Sequence, residues 1–228
     1  MFEVVFLGTA AGVPAVDRGL PALVVLQRHR RFLLDCGEGT QRQLLESGLG
    51  FRRLDCVLLT HAHLDHLLGI GGLLATLALL EAGHSLTVYG GASALRAVRT
   101  LLTEVVWPDG RPRFEVRTIV LEPGTIIEDD HLRVRAFPVT HRGAESFGFV
   151  FEEKPRPRML PDKLAALDVP AGPERRRLRE GEESSCQTAA GLRRMRFWGR
   201  RGGAAGSSWL VMPPVPTSCS RSFGTPMR

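Results

Sequence analysis

The sequence is poor in cysteine, with four residues in 228, and none of the four has the spacing of a zinc knuckle or a disulfide framework. It also lacks an apolar run long enough to span a membrane without glycine or polar interruptions. No basic segment precedes a hydrophobic one at its start, as a secretion signal would require. These absences argue against a disulfide-stapled secreted protein and against a membrane protein. We therefore expect a cytoplasmic protein with an ordinary hydrophobic core and no membrane partner.

Acidic residues are absent from Ser184 to Arg228, a segment that contains seven arginines. Residues 1–183 carry 23 Lys and Arg against 24 Asp and Glu, so the net charge of +6 belongs to this tail. The basic pI therefore says little about what the rest of the chain binds. The tail is rich in Gly, Ser and Pro and shows little periodicity, so residues 184–228 are expected to form an aberrant tail without regular structure.

The most informative stretch runs from Thr60 to Gly69 and holds three histidines and one aspartate within six residues, namely His61, His63, Asp65 and His66. The apolar run Leu54–Leu59 before it predicts a buried strand, and the apolar stretch Leu67–Leu80 after it predicts a helix. The four polar residues then lie on a strand-to-helix turn, where their side chains converge. Imidazole nitrogens and carboxylate oxygens suit zinc or a similar divalent ion, and such a density makes an ordinary surface turn a poor explanation.

A fifth candidate ligand, His141, follows another predicted apolar strand at Leu132–Phe137. Alone it is as readily a loop residue as a ligand. With His61 and His63 it would complete a site of three nitrogens, and Asp65 with His66 would begin a second site alongside. Two cations about 4 Å apart can share a nucleophile and stabilise a phosphodiester under attack. Asp65, beside the attacking water, could orient it and accept its proton.

The remaining pattern predicts strands that alternate with helices and a β-rich middle, which is typical of an α/β layered domain. The small-residue loop Gly8–Pro14 lacks the lysine of a nucleotide-binding loop, so it is interpreted as a loop that approaches another site closely. Beyond Glu153 the chain becomes rich in proline and arginine, and composition alone fits a solvated linker as well as a binding arm.

The motif His61-Ala62-His63-Leu64-Asp65-His66 resembles the metal motif of the metallo-β-lactamase fold superfamily, a four-layered αββα sandwich. Several further motifs resemble its ribonuclease Z family, which matures the 3′ ends of tRNA; they are Phe6–Thr9 with Gly12–Pro14, Asp35–Leu44, and His141 with Ser146–Phe149. Lys154–Pro157 and Pro170–Pro173 resemble that family's protruding arm, which grips the tRNA elbow. The resemblance covers residues 2–183.

The resemblance implies a zinc-dependent endoribonuclease that removes the 3′ trailer from precursor tRNA and works as a cytoplasmic homodimer. It implies two Zn²⁺ ions per subunit, with His61, His63 and His141 on one and Asp65 and His66 on the other, and Asp65 also catalytic. It further implies that the arm contacts tRNA, through the residues Lys154, Arg156, Arg158, Gly172 and Pro173. The predicted organisation is a metallo-β-lactamase-like portion at 1–153, the arm at 154–183 and the tail at 184–228.

Two family ligands have no counterpart, because no Asp follows Asp168 and no His follows His141. The second zinc site is therefore expected to be incomplete and the second half of the sandwich missing or replaced. A reading-frame shift near Ser184–Gly191 is one hypothesis, since the codons of Val211–Pro213 read one base earlier give Gly-Asp-Ala. Sequencing the DNA would decide it. Two other functions stay open, a hydrolase of small phosphodiesters with the same fold and an inactive truncated remnant.

Overall fold

A computed structural model describes residues 2–80, 85–110, 115–141, 145–154, 172, 175 and 209–212. By internal contacts the chain divides into one unit of residues 1–152 with 208–228 and another of residues 153–207. Almost all described residues belong to the first unit. The sheets, the helices and the candidate site described below all lie in this unit.

Within the described residues the first sheet has six strands in sequence order. They are β1 (Glu3–Gly8), β2 (Ala22–Gln27), β3 (Arg30–Leu34), β4 (Leu54–Leu58), β5 (Ser85–Gly90) and β6 (Glu115–Val120). The strands β1 to β3 form an antiparallel meander, and β3 to β6 are parallel to one another. Parallel neighbours need crossover connections, and helices fill them.

The crossover helices are α1 (Thr40–Glu46), α2 (Leu64–Leu67), α3 (Gly69–Leu79) and α4 (Ala92–Leu101), and α4 continues into a π-helical turn at Leu102–Val106. The sequence predicted a single helix from Leu67 after the histidine-rich turn. The structure begins α2 three residues earlier, at Leu64, so that Asp65 and His66 are helical residues. None of the helices in the described ranges is long and apolar enough to cross a bilayer.

The second sheet has the strand order β10-β9-β8-β7. Its strands are β7 (Gly124–Glu128), β8 (Leu132–Pro138), β9 (Phe147–Glu153) and β10 (Trp209–Met212). β10 pairs antiparallel with β9, with Met212 opposite Phe149. The expectation of a tail without regular structure is therefore wrong for these four residues, whose backbone pairs with the edge of β9.

Alternation along the strands of the first sheet divides the core between two interfaces, because successive side chains point to opposite faces. Val24, Leu33 and Val57 face the helices and join one buried cluster with Leu44, Leu73 and Leu95. Their neighbours Val25, Phe32 and Leu58 face the second sheet, where they meet Phe149 and Phe151. Helices, first sheet and second sheet thus form three stacked layers, which confirms the predicted metallo-β-lactamase-like α/β fold.

Two adjacent leucines of α1 offer a matched test of this packing. Leu44 is 1% exposed and belongs to the helix-facing cluster, whereas Leu45 is 60% exposed. We expect Leu44→Ala to lower the free energy of unfolding by about 2–5 kcal/mol, because it removes buried methyl groups and leaves a cavity. Leu45→Ala has the same helix propensity change and should cost less than about 0.5 kcal/mol. Denaturant unfolding of both variants measures the difference, and equal losses would contradict the assigned orientation of α1.

Candidate metal centre

The candidate site lies at the carboxyl ends of β3 and β4, which share one edge of the sheet because the two strands are parallel. Asp35 directly follows β3, and Thr60 and His61 follow β4. The start of β9 closes the edge from the second sheet, since the backbone N–H of Phe147 donates to the carbonyl of Thr60 at 2.8 Å. Residues far apart in sequence therefore meet at this edge.

Three imidazoles converge there. His61, His63 and His141 each offer one ring nitrogen, and these nitrogens all lie within 4.8 Å of one another. His61 Nε2 and His63 Nδ1 are 2.9 Å apart, and the His141 ring centroid lies 4.9 Å from that of His61 and 5.2 Å from that of His63. Two nitrogens bound at about 2.0–2.1 Å to a tetrahedral zinc ion lie about 3.3 Å from each other. The cluster therefore fits one cation with small adjustments of the rings.

A buried carboxylate orients two of the histidines. Asp35 is 3% exposed, and its Oδ2 accepts a hydrogen bond from His66 Nδ1 at 2.8 Å. Its oxygens also accept from Thr60, from the backbone N–H at 2.8 Å and from Oγ1 at 2.9 and 3.0 Å. Thr60 Oγ1 lies 2.8 Å from His61 Nδ1. Since the Thr60 hydroxyl donates to the carboxylate, we assign His61 Nδ1–H as the donor to Oγ1.

These bonds fix the protons of both rings on Nδ1 and leave the Nε2 lone pairs of His61 and His66 for a cation, as hydrogen bonds from metal-ligating histidines commonly do. His66 Nε2 is buried and has no hydrogen-bonding partner among the described residues. It lies 3.7 Å from Asp65 Oδ2. A buried nitrogen without a donor or acceptor is costly, and a ligated cation would satisfy it.

Asp65 stands beside the three-histidine cluster with its side chain 12% exposed. Its Oδ2 accepts a hydrogen bond from the backbone N–H of Gly12 at 2.9 Å. The loop Gly8–Pro14 thus approaches the site closely, as the sequence suggested, and it does so through a backbone group. Asp65 and His66 are two candidate ligands for a second cation, and the only group of three or more candidate ligands in the described residues is His61, His63 and His141.

The electrostatics favour a neutral imidazole at His61. Burial lowers the pKa of His61 to about 3, and the neighbouring rings of His66, His63 and His141 add to the effect. Burial also lowers the pKa of His66, but the hydrogen bond to Asp35 and the charges of Asp35 and Asp65 more than reverse this, and the net direction is upward. The negative charge of Asp35 stabilises a proton on His66, and it would stabilise a cation bound to His66 in the same way.

Backbone contacts hold α2 against the loop that follows β3. The N–H of Cys36 donates to the carbonyl of His66 at 2.7 Å, and the N–H of Gly69 donates to the carbonyl of Cys36 at 2.9 Å. Only glycine fits at two of these contacts. A Cβ on Gly69 would lie 2.0 Å from the carbonyl oxygen of Gly37, and one on Gly37 would lie 2.6 Å from that of Asp65. The close approach fixes the position from which Asp65 and His66 project.

Asp35 is the site residue whose role the sequence reasoning missed, since it entered there only as part of a family motif. The available signal was its place, an acidic residue immediately after the apolar strand β3. Its backbone φ of 55° is an uncommon conformation for a residue other than glycine, although Asp tolerates it better than most. Burial, an unusual backbone and a fully used carboxylate together indicate a positioning residue.

The predicted arm residues are covered in part. Lys154 and Gly172 are described, and Gly172 has a φ of 129°. Arg156, Arg158 and Pro173 lie outside the described residues. The assignment of these five residues to RNA binding therefore stays a prediction.

Asp35→Asn tests the positioning role at nearly constant size and with a residue that tolerates the same backbone conformation. The new amide presents N–H groups to the Thr60 hydroxyl and His66 Nδ1, so it disturbs the tautomers that expose Nε2. We expect zinc affinity to fall by about 10–100-fold, measured by competition with a chromophoric chelator. Asp55→Asn, at an exposed position of β4, is the control and should leave the affinity unchanged. Wild-type affinity in Asp35→Asn would contradict the assigned role.

The chain matches known proteins over most of the region that contains this site. Residues 30–162 match the family model described as a beta-lactamase superfamily domain. A ribonuclease Z of Bradyrhizobium diazoefficiens is 50% identical over 181 residues, which are 79% of this chain and 60% of that protein. A ribonuclease Z of Gemmatimonas aurantiaca is 39% identical over 179 residues, 78% of this chain and 56% of that protein.

Among solved structures, the short form of human tRNase Z superposes with a TM-score of 0.57 at 33% identity, and the match covers 68% of this chain and 64% of that one. The chain thus spans about 60% of the length of the curated relatives described above. The chain belongs to the metallo-β-lactamase superfamily, and its matched part belongs to the ribonuclease Z branch.

Proposed function

We propose that this chain carries the first part of a zinc phosphodiesterase that removes the 3′ trailer from precursor tRNA. The observation that carries the proposal is the meeting of His61, His63 and His141 in one cluster beside Asp65 and His66, in a chain 50% identical to a ribonuclease Z over 181 residues. Those relatives are named ribonuclease Z, and the proposal for this chain rests on the region that matches them.

In this proposal His61, His63 and His141 hold one zinc ion, and Asp65 and His66 contribute to a second. Bound zinc supplies Lewis acidity, which acidifies water and offsets the negative charge of a phosphodiester. Asp65 accepts the proton of the attacking water. The backbone N–H of Gly12 keeps the Asp65 carboxylate oriented by donating to its Oδ2. Asp35 and Thr60 keep the ligating rings oriented.

The remaining parts of the proposal are the arm and the assembly. Residues 154–183 would form an exosite for the tRNA elbow, and two copies of the protein would pair so that the arm of one holds tRNA at the site of the other. Such an enzyme would work in the cytoplasm. Binding through such a basic arm would depend on salt, because phosphate contacts release counterions.

Cleavage should depend on Asp65. Because the chain spans about 60% of its relatives, the assay uses residues 1–183 joined to the part of the Bradyrhizobium diazoefficiens ribonuclease Z that lies beyond the match. We expect this chimera to release the 3′ trailer from a precursor tRNA transcript. Asp65→Ala should lower the rate by about 10²–10⁴-fold, since it removes a proton acceptor and a ligand. The control is Asp17→Ala, at an exposed position of the neighbouring loop.

Two results would overturn this assignment. Hydrolysis of small phosphodiesters without cleavage of precursor tRNA would favour the alternative hydrolase of the same fold. An equal loss of rate in Asp17→Ala and Asp65→Ala would remove Asp65 from the chemistry.

Metal content of the 228-residue chain tests the ligand assignment separately. Three histidines converge on one point, whereas the second point has only Asp65 and His66. We expect one tightly bound zinc ion per chain by mass spectrometry under native conditions, lost on His63→Ala and retained on His29→Ala, an exposed histidine of the β2–β3 turn. A chain that binds no zinc at all would support the reading as an inactive remnant.

A further inference from the structure

At the ends of the strands opposite the candidate site, the segments around the start of β3 and the start of β4 are rich in arginine. Five arginines lie in the turn between β2 and β3, at the start of β3 and in the segment before β4, and we call them the arginine edge: Arg28, Arg30, Arg31, Arg52 and Arg53. Within residues 27–31 and 49–55 the only acidic residue is Asp55. This basic feature is independent of the tail, which accounts for the net charge of the chain.

The two turns form one unit. Arg31 Nη1 donates to the carbonyl of Leu49 at 2.6 Å, and Arg31 stands opposite Leu54 in the parallel pairing of β3 with β4. Neighbouring strands lie about 4.8 Å apart, so the turns of three adjacent strands span about 10 Å. An edge of this length can contact more than one backbone phosphate of a nucleic-acid strand.

Most of the arginine charge at this edge is available. Arg30 is committed to Asp129, with Nη1 at 2.6 Å from Oδ2. Arg28, Arg52 and Arg53 are exposed, and the part of the chain that the structure describes offers them no ion pair. Arg117 and Arg133, on other strands, are paired with Glu115 and Glu128.

Two of the free arginines sit where the backbone disfavours them. Arg28 has a φ of 58° and is the first residue of the two-residue turn that joins Gln27 to Arg30, a position that favours glycine. Arg53 has a φ of 59°. A residue other than glycine in this conformation costs free energy, and such strain persists at positions that serve a function. The backbone conformation of the two turns does not favour arginine, so we attribute the presence of arginine at these two positions to a function of its side chain.

The surface chemistry distinguishes a polyanion from other partners. The exposed large hydrophobic residues of the described chain all lie outside residues 27–31 and 49–55. A protein interface or a membrane-bound surface needs buried aromatic or aliphatic anchors, which this edge does not present. Guanidinium groups bind phosphate through two parallel N–H donors, a geometry that suits a chain of phosphodiesters.

We propose that the arginine edge binds the backbone phosphates of RNA, as a second contact separated from the metal turn, Thr60–His66, by the length of β4. That strand has five residues, Leu54–Leu58, so the separation is about 17 Å. The choice of RNA as the polyanion rests on the proposed function. The contact is to phosphate, and it therefore adds affinity and orientation without sequence preference.

The experiment measures binding and not cleavage, so a failure of the proposed activity would not be mistaken for a failure of this contact. The probe is a 20-base-pair RNA duplex in a buffer with chelator, and affinity for the full chain is measured over a range of salt concentrations. The test variant is Arg28→Gly with Arg53→Gly. Glycine relieves both strained positions, so the melting temperature should not fall. We expect the slope of log affinity against log salt to decrease by about 1–2 and the affinity to fall.

The matched control is Arg117→Gln with Arg133→Gln, which removes the same charge from arginines already paired with glutamate. It should leave the slope and the affinity nearly unchanged. Equal weakening in both double variants would assign the effect to net charge and overturn the proposal, as would unchanged RNA binding in the glycine variant. A glycine variant that loses binding to phosphatidylserine vesicles but keeps its RNA affinity would also overturn it.

Discussion

The hydrogen bonds of the Asp35 carboxylate are the interactions on which the site depends. A carboxylate that is 3% exposed must have donors for its oxygens, because burying an unpaired charge costs several kcal/mol. The donors here are Thr60, through both its backbone and its hydroxyl, and His66. Satisfying the carboxylate therefore also fixes the end of β4, the start of α2 and the proton positions on two imidazoles. The same hydrogen bonds satisfy the buried carboxylate and hold the two imidazoles in the tautomer that can bind a cation.

The loop after β3 provides this carboxylate at a conformational cost. Asp35 adopts a φ of 55°, and the next residues fit under α2 only because Gly37 and Gly69 lack a Cβ. The hydrogen bonds from Cys36 to His66 and from Gly69 to Cys36 stabilise the arrangement. Rigid placement of this kind matters for a metal centre, because loss of the groups that orient the ligands typically lowers metal affinity by about 10–100-fold. The loop and the helix thus behave as one structural element.

The sequence predicted the local parts of this site and missed the parts that depend on pairing between strands. His61, His63, Asp65 and His66 lie within six residues, so their spacing alone indicated a metal turn. His141 was reached through the apolar strand before it and through the family motif. The role of Asp35 depends on β3 lying beside β4, which places Thr60, 25 residues away, against its carboxylate. The pairing of β10 with β9 was missed for a similar reason, since composition carries no information about an open sheet edge.

Backbone strain in the described residues concentrates at the ends of two strands. The three residues other than glycine with a positive φ are Arg28, Asp35 and Arg53. Arg28 lies just before β3, Asp35 just after it, and Arg53 just before β4. Glycine would adopt this backbone conformation at a lower free-energy cost, so we look for a function of the side chain at each position. Asp35 does so by holding the metal turn at one edge of the sheet. The two arginines lie at the opposite ends of these strands and form no ion pair with a carboxylate among the described residues. A backbone phosphate of RNA is the ligand that we propose for them.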